Sequence, residues 1–310
     1  PLLSVKNLKV HFPIRGGVFL KQVGNVYAVD GVDLDIKAGE TVGLVGESGC
    51  GKSTFGKALL KLIKSTDGTI EFEGQNLDSL TKTSLRELRK NLQIIFQDPS
   101  ESLNSRLTIE KILSEPFEIH KIGTRKERKS MVLDLLKKVG LPADSISKYP
   151  HEFSGGQKQR IGIARAISMN PKLIVCDEAV SALDVSVQSQ IMNLLLDLQE
   201  ELQLSYLFIA HDLTVVRHIS DKVAVMYLGK IVEYTDADTI YENPMHPYTK
   251  ALMSAIPEPA PTQKKTRIIL QGDVPSPIDP PSGFSFHTRC PYASANCKTE
   301  TPHLKTCGVE

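Results

Sequence analysis

Three short stretches carry residue types that, at their spacing, do phosphate chemistry. Gly46-Glu47-Ser48-Gly49-Cys50-Gly51-Lys52-Ser53-Thr54 fits the pattern G-x-x-x-x-G-K-[ST], between an apolar run from Thr41 to Val45 and an amphipathic stretch from Ser53 to Ile63. Glycines let backbone N–H groups turn toward phosphate oxygens, and a helix N-terminus adds the positive end of its dipole. Lys52 supplies a point charge for the terminal phosphates, and the Ser53 hydroxyl is a ligand for Mg²⁺. The second stretch, Leu173-Ile174-Val175-Cys176-Asp177-Glu178, reads as a buried strand ending in two carboxylates. Asp177 suits a Mg²⁺ shell, and Glu178 suits polarising a water aligned with a γ-phosphate. Alone, such a pair is more often a solvated loop. Beside a phosphate loop it reads as the other half of a nucleotide hydrolase. The third stretch, Ser154-Gly155-Gly156-Gln157 followed by Lys158-Gln159-Arg160, would place a hydroxyl and two glycine amides at the start of a helix through Ile161 and Ala166, a second anion site.

The elements that must position these residues follow from hydrophobic period. Leu2 to Phe12 and Val32 to Ile36 alternate with period two and predict an antiparallel N-terminal β layer. Thr41 to Val45, Leu173 to Cys176, Tyr206 to Ala210 and Val223 to Leu228 are short, nearly continuous apolar runs, as expected of strands buried on both faces. Helical patterns separate them, among them Val187 to Leu202, with Ile191, Leu194, Leu195, Leu198 and Leu202 on one stripe. Alternation of this kind predicts an α/β fold with a parallel sheet. Strand signals vanish between Gln97 and Pro150, where charged helical stretches such as Arg125 to Val139 predict an inserted helical subdomain. After Asn243 frequent prolines leave no room for long helices or central strands and predict a linker or small irregular appendage.

Composition narrows the function. The chain of 310 residues has 37 Lys plus Arg against 36 Asp plus Glu, so the basic excess of a nucleic-acid binder is missing. No apolar run approaches the roughly 18 to 20 residues of a membrane span, and Pro1 to Phe12 alternates instead of forming a signal-peptide core. These features predict a cytosolic protein. Of the five cysteines, Cys50 and Cys176 stand alone and Cys290, Cys297 and Cys307 cluster near the end, which argues against a disulfide framework.

Ser154 to Gln157, following a phosphate loop, resembles the signature of the ATP-binding cassette (ABC) ATPases, and further motifs extend the resemblance over roughly residues 1 to 255. It implies an α/β P-loop (RecA-like) ATPase core with an N-terminal antiparallel β layer, an inserted helical subdomain and a Pro/Cys-rich C-terminal extension. The implied limits are 1–243 for the nucleotide-binding domain, about 98–165 for the helical insertion and 244–310 for the extension. Tyr27, 25 residues before Lys52, resembles the aromatic residue stacked on adenine, with an ordinary strand-end aromatic as the competing reading. Gln97 resembles the glutamine that reaches metal and attacking water. Ser181-Ala182-Leu183-Asp184 resembles the dimer-contact loop, with Asp184 as a simple helix cap as the alternative. His211 resembles the switch histidine that contacts the γ-phosphate. The resemblance thus implies ATP and Mg²⁺ as ligands, with Lys52, Gln97, Glu178 and His211 catalytic, and Ser53, Gln97 and Asp177 holding Mg²⁺. Nucleotide would be bound by Tyr27, by Gly46 to Thr54 and, across a head-to-tail dimer, by Ser154, Gly155, Gly156 and Gln157. In one departure Ala179 follows Glu178 where the family commonly has proline, which removes no catalytic group.

Gln97-Asp98-Pro99-Ser100, Tyr149-Pro150-His151-Glu152-Phe153 and His246-Pro247-Tyr248-Thr249-Lys250-Ala251-Leu252 are similar to the branch that energises peptide and nickel importers. That resemblance implies a second ABC ATPase chain, two permease subunits and an external solute-binding protein as partners, no nucleic acid, and a peripheral place on the cytoplasmic face of the cell membrane. A soluble ABC ATPase acting on ribosomes or nucleic acid is the rival, as is an importer for nickel or another solute. Cys290, Cys297 and Cys307 resemble a tail that in this branch can hold a [4Fe–4S] cluster, which usually takes four thiolates. His287, His303, a further cysteine, or zinc with mixed ligands could complete a site; free thiols in an appendage are the other reading.

Overall fold

A computed structural model describes residues 1–16, 21–256 and 267–305, and the side chains of all these except 100 and 101. The chain forms two compact units, residues 1–36, 42–79 and 210–310 in the first and 37–41 and 80–209 in the second.

Two strand systems build the first unit. Leu3–Gly16 and Lys21–Ile36 form a long antiparallel pair, and Asp67–Phe72 joins the other side of Leu3–Gly16, with the short strand Gln75–Asn76 at the edge. This is the antiparallel layer expected from the period-two pattern, but the hairpin is longer than the alternation marked. Register shifts at several points along the pair let both strands continue where alternation fails. Thr41–Val45 runs parallel to Lys222–Tyr227, and Lys230–Asp236 folds back antiparallel on the latter. Thr41 to Val45 is buried throughout, which explains its unbroken apolar run.

In the second unit Leu92–Ile95, Leu173–Asp177 and Ser205–Ile209 make a parallel three-stranded array. The helix Val185–Leu202 buries Ile191, Met192, Leu194, Leu195 and Leu198, the stripe read from its sequence apart from Leu202. Tyr206 is fully buried and donates its hydroxyl to Leu195 O at 2.9 Å, locking this helix to the strand Ser205–Ile209. Ile109–Ile119 and Arg125–Lys138 lie in the stretch where strand signals vanish. A reciprocal capping box between Thr124 and Glu127 starts the second of these, and Arg160 closes its end by donating to Val139 O at 2.7 Å.

One helix is shorter than its pattern. The stretch Ser53 to Ile63 reads as a continuous amphipathic helix, yet the helix spans Lys52–Leu59. Lys61 takes a left-handed φ of 51°, and its ammonium bonds Asp78 at 2.5 Å and Ser65 at 3.2 Å. Leu62 N donates to Lys57 O at 3.0 Å and Lys61 N to Ala58 O at 2.9 Å, the paired backbone bonds of a left-handed cap that ends the helix. The proline-rich stretch after Asn243 holds, among the described residues, only the eight-residue helix Pro247–Ser254 and a single 3₁₀ turn, Ala295–Lys298.

Candidate functional site

The first unit carries the phosphate loop, and packing dictates its glycines. A Cβ on Gly51 would lie 1.9 Å from Ala28 O, and Gly51 has a φ of 107°, so only glycine can close the loop onto the hairpin strand. A Cβ on Gly46 would likewise lie 2.2 Å from Met226 O. Gly229 N donates to Cys50 O at 2.9 Å, tying the loop to the turn before Lys230–Asp236. Lys52 starts the helix and is 4% exposed. Its ammonium donates to Gly46 O at 2.8 Å and Glu47 O at 2.9 Å, so the loop's carbonyls hold the cation beneath the loop. Burial pushes the Cys50 thiol pKa up despite nearby Lys52, which keeps it neutral and unreactive.

Tyr27 is half-buried, its ring 4.6 Å from that of His11 in an edge-on arrangement. His11 in turn reaches Asp30 at 3.1 Å, and Asp30 pairs with Lys230 at 2.8 Å. His11 and Lys230 thus steady the strand that carries Tyr27, a support the sequence pattern did not reveal. His211 is exposed and directly precedes Asp212, whose side chain caps the helix Leu213–Ile219 by accepting from Thr214 N at 2.8 Å.

The carboxylate residues belong to the second unit. Asp177 ends the buried strand Leu173–Asp177 and is 5% exposed. Glu178 breaks away from the strand in the left-handed region, φ 49°, a conformation that costs a non-glycine residue roughly 1–2 kcal/mol. Glu178 N donates to Ile209 O at 3.0 Å, and Ser181 donates its hydroxyl and its N–H to Glu178 O. These bonds hold the strained turn, and Ala179 fits within it, 1% exposed. The structure brings Gln97 to Glu178 across 81 positions of sequence, with Nε2 donating to Oε2 at 2.8 Å. That arrangement orients a carboxylate beside an amide, a pair able to accept a proton from water and to fix the water's direction.

Ser154 caps the helix Gly155–Ile167 in a reciprocal box with Gln157: Ser154 Oγ accepts from Gln157 N at 3.4 Å, and Gln157 Oε1 accepts from Ser154 N at 3.0 Å. Ser154, Gly155 and Gln157 are exposed. A Cβ on Gly156 would meet Val187 Cγ1 at 2.5 Å and one on Gly155 would reach Leu183 Cδ2 at 3.6 Å, so the Gly-rich turn lies against the loop Ser181 to Asp184 and the helix after it. Asp184 stands at the N-cap of Val185–Leu202 but makes no side-chain cap bond. The following Val185 is 78% exposed. Capping therefore does not account for this aspartate.

Cys290 and Cys297 are half-buried, Cys297 Sγ lies 3.4 Å from Ser294 Oγ, and Cys307 lies outside the described residues. Among the described residues no group of three or more His, Cys, Asp or Glu is placed to hold a metal ion. The two tail cysteines that are described stand against the four thiolates such a cluster usually takes.

The strand, phosphate loop and helix of the first unit define a P-loop protein. Residues 29–181 match the ABC transporter family model, and residues 232–297 match that of the oligopeptide/dipeptide transporter C-terminal region. The oligopeptide transport ATP-binding protein AppF of Bacillus subtilis is 54% identical over 98% of this chain and 93% of its own length. For the OppF protein of Salmonella typhimurium the figures are 53%, 98% and 92%. A dimeric ATP-binding cassette, MJ0796, in a post-hydrolysis state with ADP and Pi, superposes with a TM-score of 0.67 at 29% identity, over 76% of this chain and 98% of that one. The chain belongs to the ATP-binding cassette transporter family, in the branch that carries the oligopeptide/dipeptide C-terminal region. It is an ATPase of that family.

Proposed function

We propose that this chain is the ATP-hydrolysing subunit of a membrane importer for di- or oligopeptides, and that ATP-driven closure of an ATPase dimer powers the permease. The observation that carries the chemistry is the Gln97–Glu178 hydrogen bond, which fixes a carboxylate on a strained turn immediately after the buried strand. Glu178 is the general base toward the attacking water, and Gln97 orients that water. Lys52 and the amides of Gly46 to Thr54 neutralise and cradle the phosphates, Tyr27 stacks on adenine, and His211 contacts the γ-phosphate. Ser53, Gln97 and Asp177 would hold Mg²⁺, which would neutralise charge developing on the phosphates.

Ser154 to Gln157 form the second anion site, which closes on nucleotide held by the partner ATPase, and Ser181 to Asp184 form the dimer contact. Exposure of Ser154, Gly155, Gln157, Asp184 and Val185 supports that reading, since a surface that receives a partner must stand clear. The nucleotide-binding domain spans 1–243 with the helical insertion at about 98–165, and 244–310 is the extension. Partners are a second ATPase chain, two permeases and an external solute-binding protein, and the complex sits on the cytoplasmic face of the membrane. None of the described helices is long and apolar enough to cross a membrane. Relatives named as oligopeptide transport proteins favour peptides over nickel, ribosomes or nucleic acid.

Reconstituting the chain with its co-purified permeases in liposomes tests the reading. Peptide with its binding protein should stimulate ATP hydrolysis and accumulate inside. Hydrolysis that no peptide stimulates, or capture of the chain on ribosomes, would overturn it.

A further inference from the structure

The phosphate loop contains an acid, although its ligand is a polyanion. Glu47 is the second residue of the loop, and its carboxylate is fully engaged: Arg289 Nη1 donates to Oε2 at 2.9 Å and Nη2 to Oε1 at 3.3 Å. Arg289 comes from the proline-rich extension, 242 positions later in the chain. Its side chain is 8% exposed against 30% for Glu47, so the pair is sheltered from screening by water. The planar fork matches both carboxylate oxygens at once, a geometry lysine cannot reproduce.

The extension is built to hold that guanidinium in place. Phe286 is fully buried, its ring 5.2 Å from Tyr227 and 5.6 Å from Tyr248. Arg289 N donates to Phe286 O at 3.0 Å, and the guanidinium carbon lies 6.0 Å from the Tyr227 ring centre. Tyr248, also fully buried, accepts from Glu47 N through its hydroxyl at 2.9 Å. Both the main chain and the carboxylate of one phosphate-loop residue are thus held by the extension. A further contact lies at the adenine end, where Pro277 O accepts from Tyr27 N at 2.9 Å.

We propose that Arg289 is a positioning residue for ATP: by pairing both guanidinium nitrogens with Glu47 it cancels the negative charge that the phosphate loop would otherwise present to the polyphosphate. The extension then belongs to the nucleotide site, and ATP affinity depends on its being docked. This inference rests on assigning the loop to ATP.

Steady-state ATP hydrolysis by the full chain, with Kd from a fluorescent ATP analogue, tests it. Arg289→Gln keeps much of the side-chain volume and removes the charge. KM for MgATP should rise about tenfold, equivalent to one charge interaction of about 1.4 kcal/mol, with kcat within about twofold. Added salt should narrow the gap to wild type. Combining it with Glu47→Gln should bring KM back to within about threefold of wild type, because the repelling carboxylate is gone. A merely structural role for Arg289 predicts no such recovery. An unchanged KM in Arg289→Gln, a loss the second substitution does not recover, or a chain that no longer folds would overturn the proposal. A wild-type chain that neither binds nor hydrolyses ATP would overturn the assignment of the loop itself, and this inference with it.

Discussion

The phosphate loop and the Gly-rich turn at Ser154, both proposed above as anion sites, are built to opposite tolerances. Around the phosphate loop, backbone meets backbone: Gly51 and Gly46 face carbonyl oxygens at distances no Cβ survives, and Lys52 is buried among the loop's own carbonyls. Around that turn Ser154, Gly155 and Gln157 stand exposed, and the one tight approach, at Gly156, is to the end of a valine side chain. One is closed by its own backbone. The other lies open, as the proposed closure onto a partner's nucleotide requires.

Substitutions can break that contrast. Gly51→Ala should be the most damaging, because the intruding Cβ meets a carbonyl that cannot move alone; a loss above about 3 kcal/mol in urea melts, with nucleotide binding abolished, is expected. The rigid half should also carry a pH dependence through His246. Burial lowers its pKa to about 4, with Glu233 opposing, and its Nδ1 accepts from Tyr248 N at 3.1 Å, so the ring is folded in its neutral form. A histidine whose folded pKa lies below its unfolded value of about 6.5 stabilises above pH 6.5 and loses that contribution as pH falls toward 4, here at most about 3 kcal/mol. Melts of wild type and His246→Asn at pH 7 and pH 5 measure this, and the asparagine variant should have the shallower slope. Gly156→Ala should cost less, about 1–3 kcal/mol, since Val187 can rotate away. Smallest of all, Glu178→Gly should leave stability within about 1 kcal/mol of wild type or slightly above it, because glycine relieves the left-handed strain at φ 49°, although hydrolysis is lost.

Legibility in the sequence followed the range of the interaction. The phosphate loop, the strand ending in Asp177 and Glu178, and the cap at Ser154 are local patterns, and the structure folds each into the element its spacing predicts. Features set by distant partners were not legible. The N-terminal hairpin runs through breaks in alternation that register shifts against the partner strand absorb, and the helix after the loop stops at Leu59 in a left-handed cap at Lys61 that no glycine marks. Gln97 and Glu178 were each marked by type and place, but their hydrogen bond spans 81 positions and no pattern announces it. Arg289 is the clearest omission. An arginine beside Phe284-Ser285-Phe286 in a proline-rich stretch gives the only hint, namely a buried aromatic anchor next to a cation, and its partner lies 242 residues away.

The central claim is that Glu178 activates water for ATP hydrolysis while other residues bind the nucleotide. Glu178→Gln removes the base and keeps the size of the side chain, so ATP affinity measured by equilibrium titration should stay within about threefold of wild type. Turnover by the same preparation, followed as phosphate release, should fall by about 10²-fold or more. Phosphate release at the wild-type rate from the Glu178→Gln chain would contradict the account.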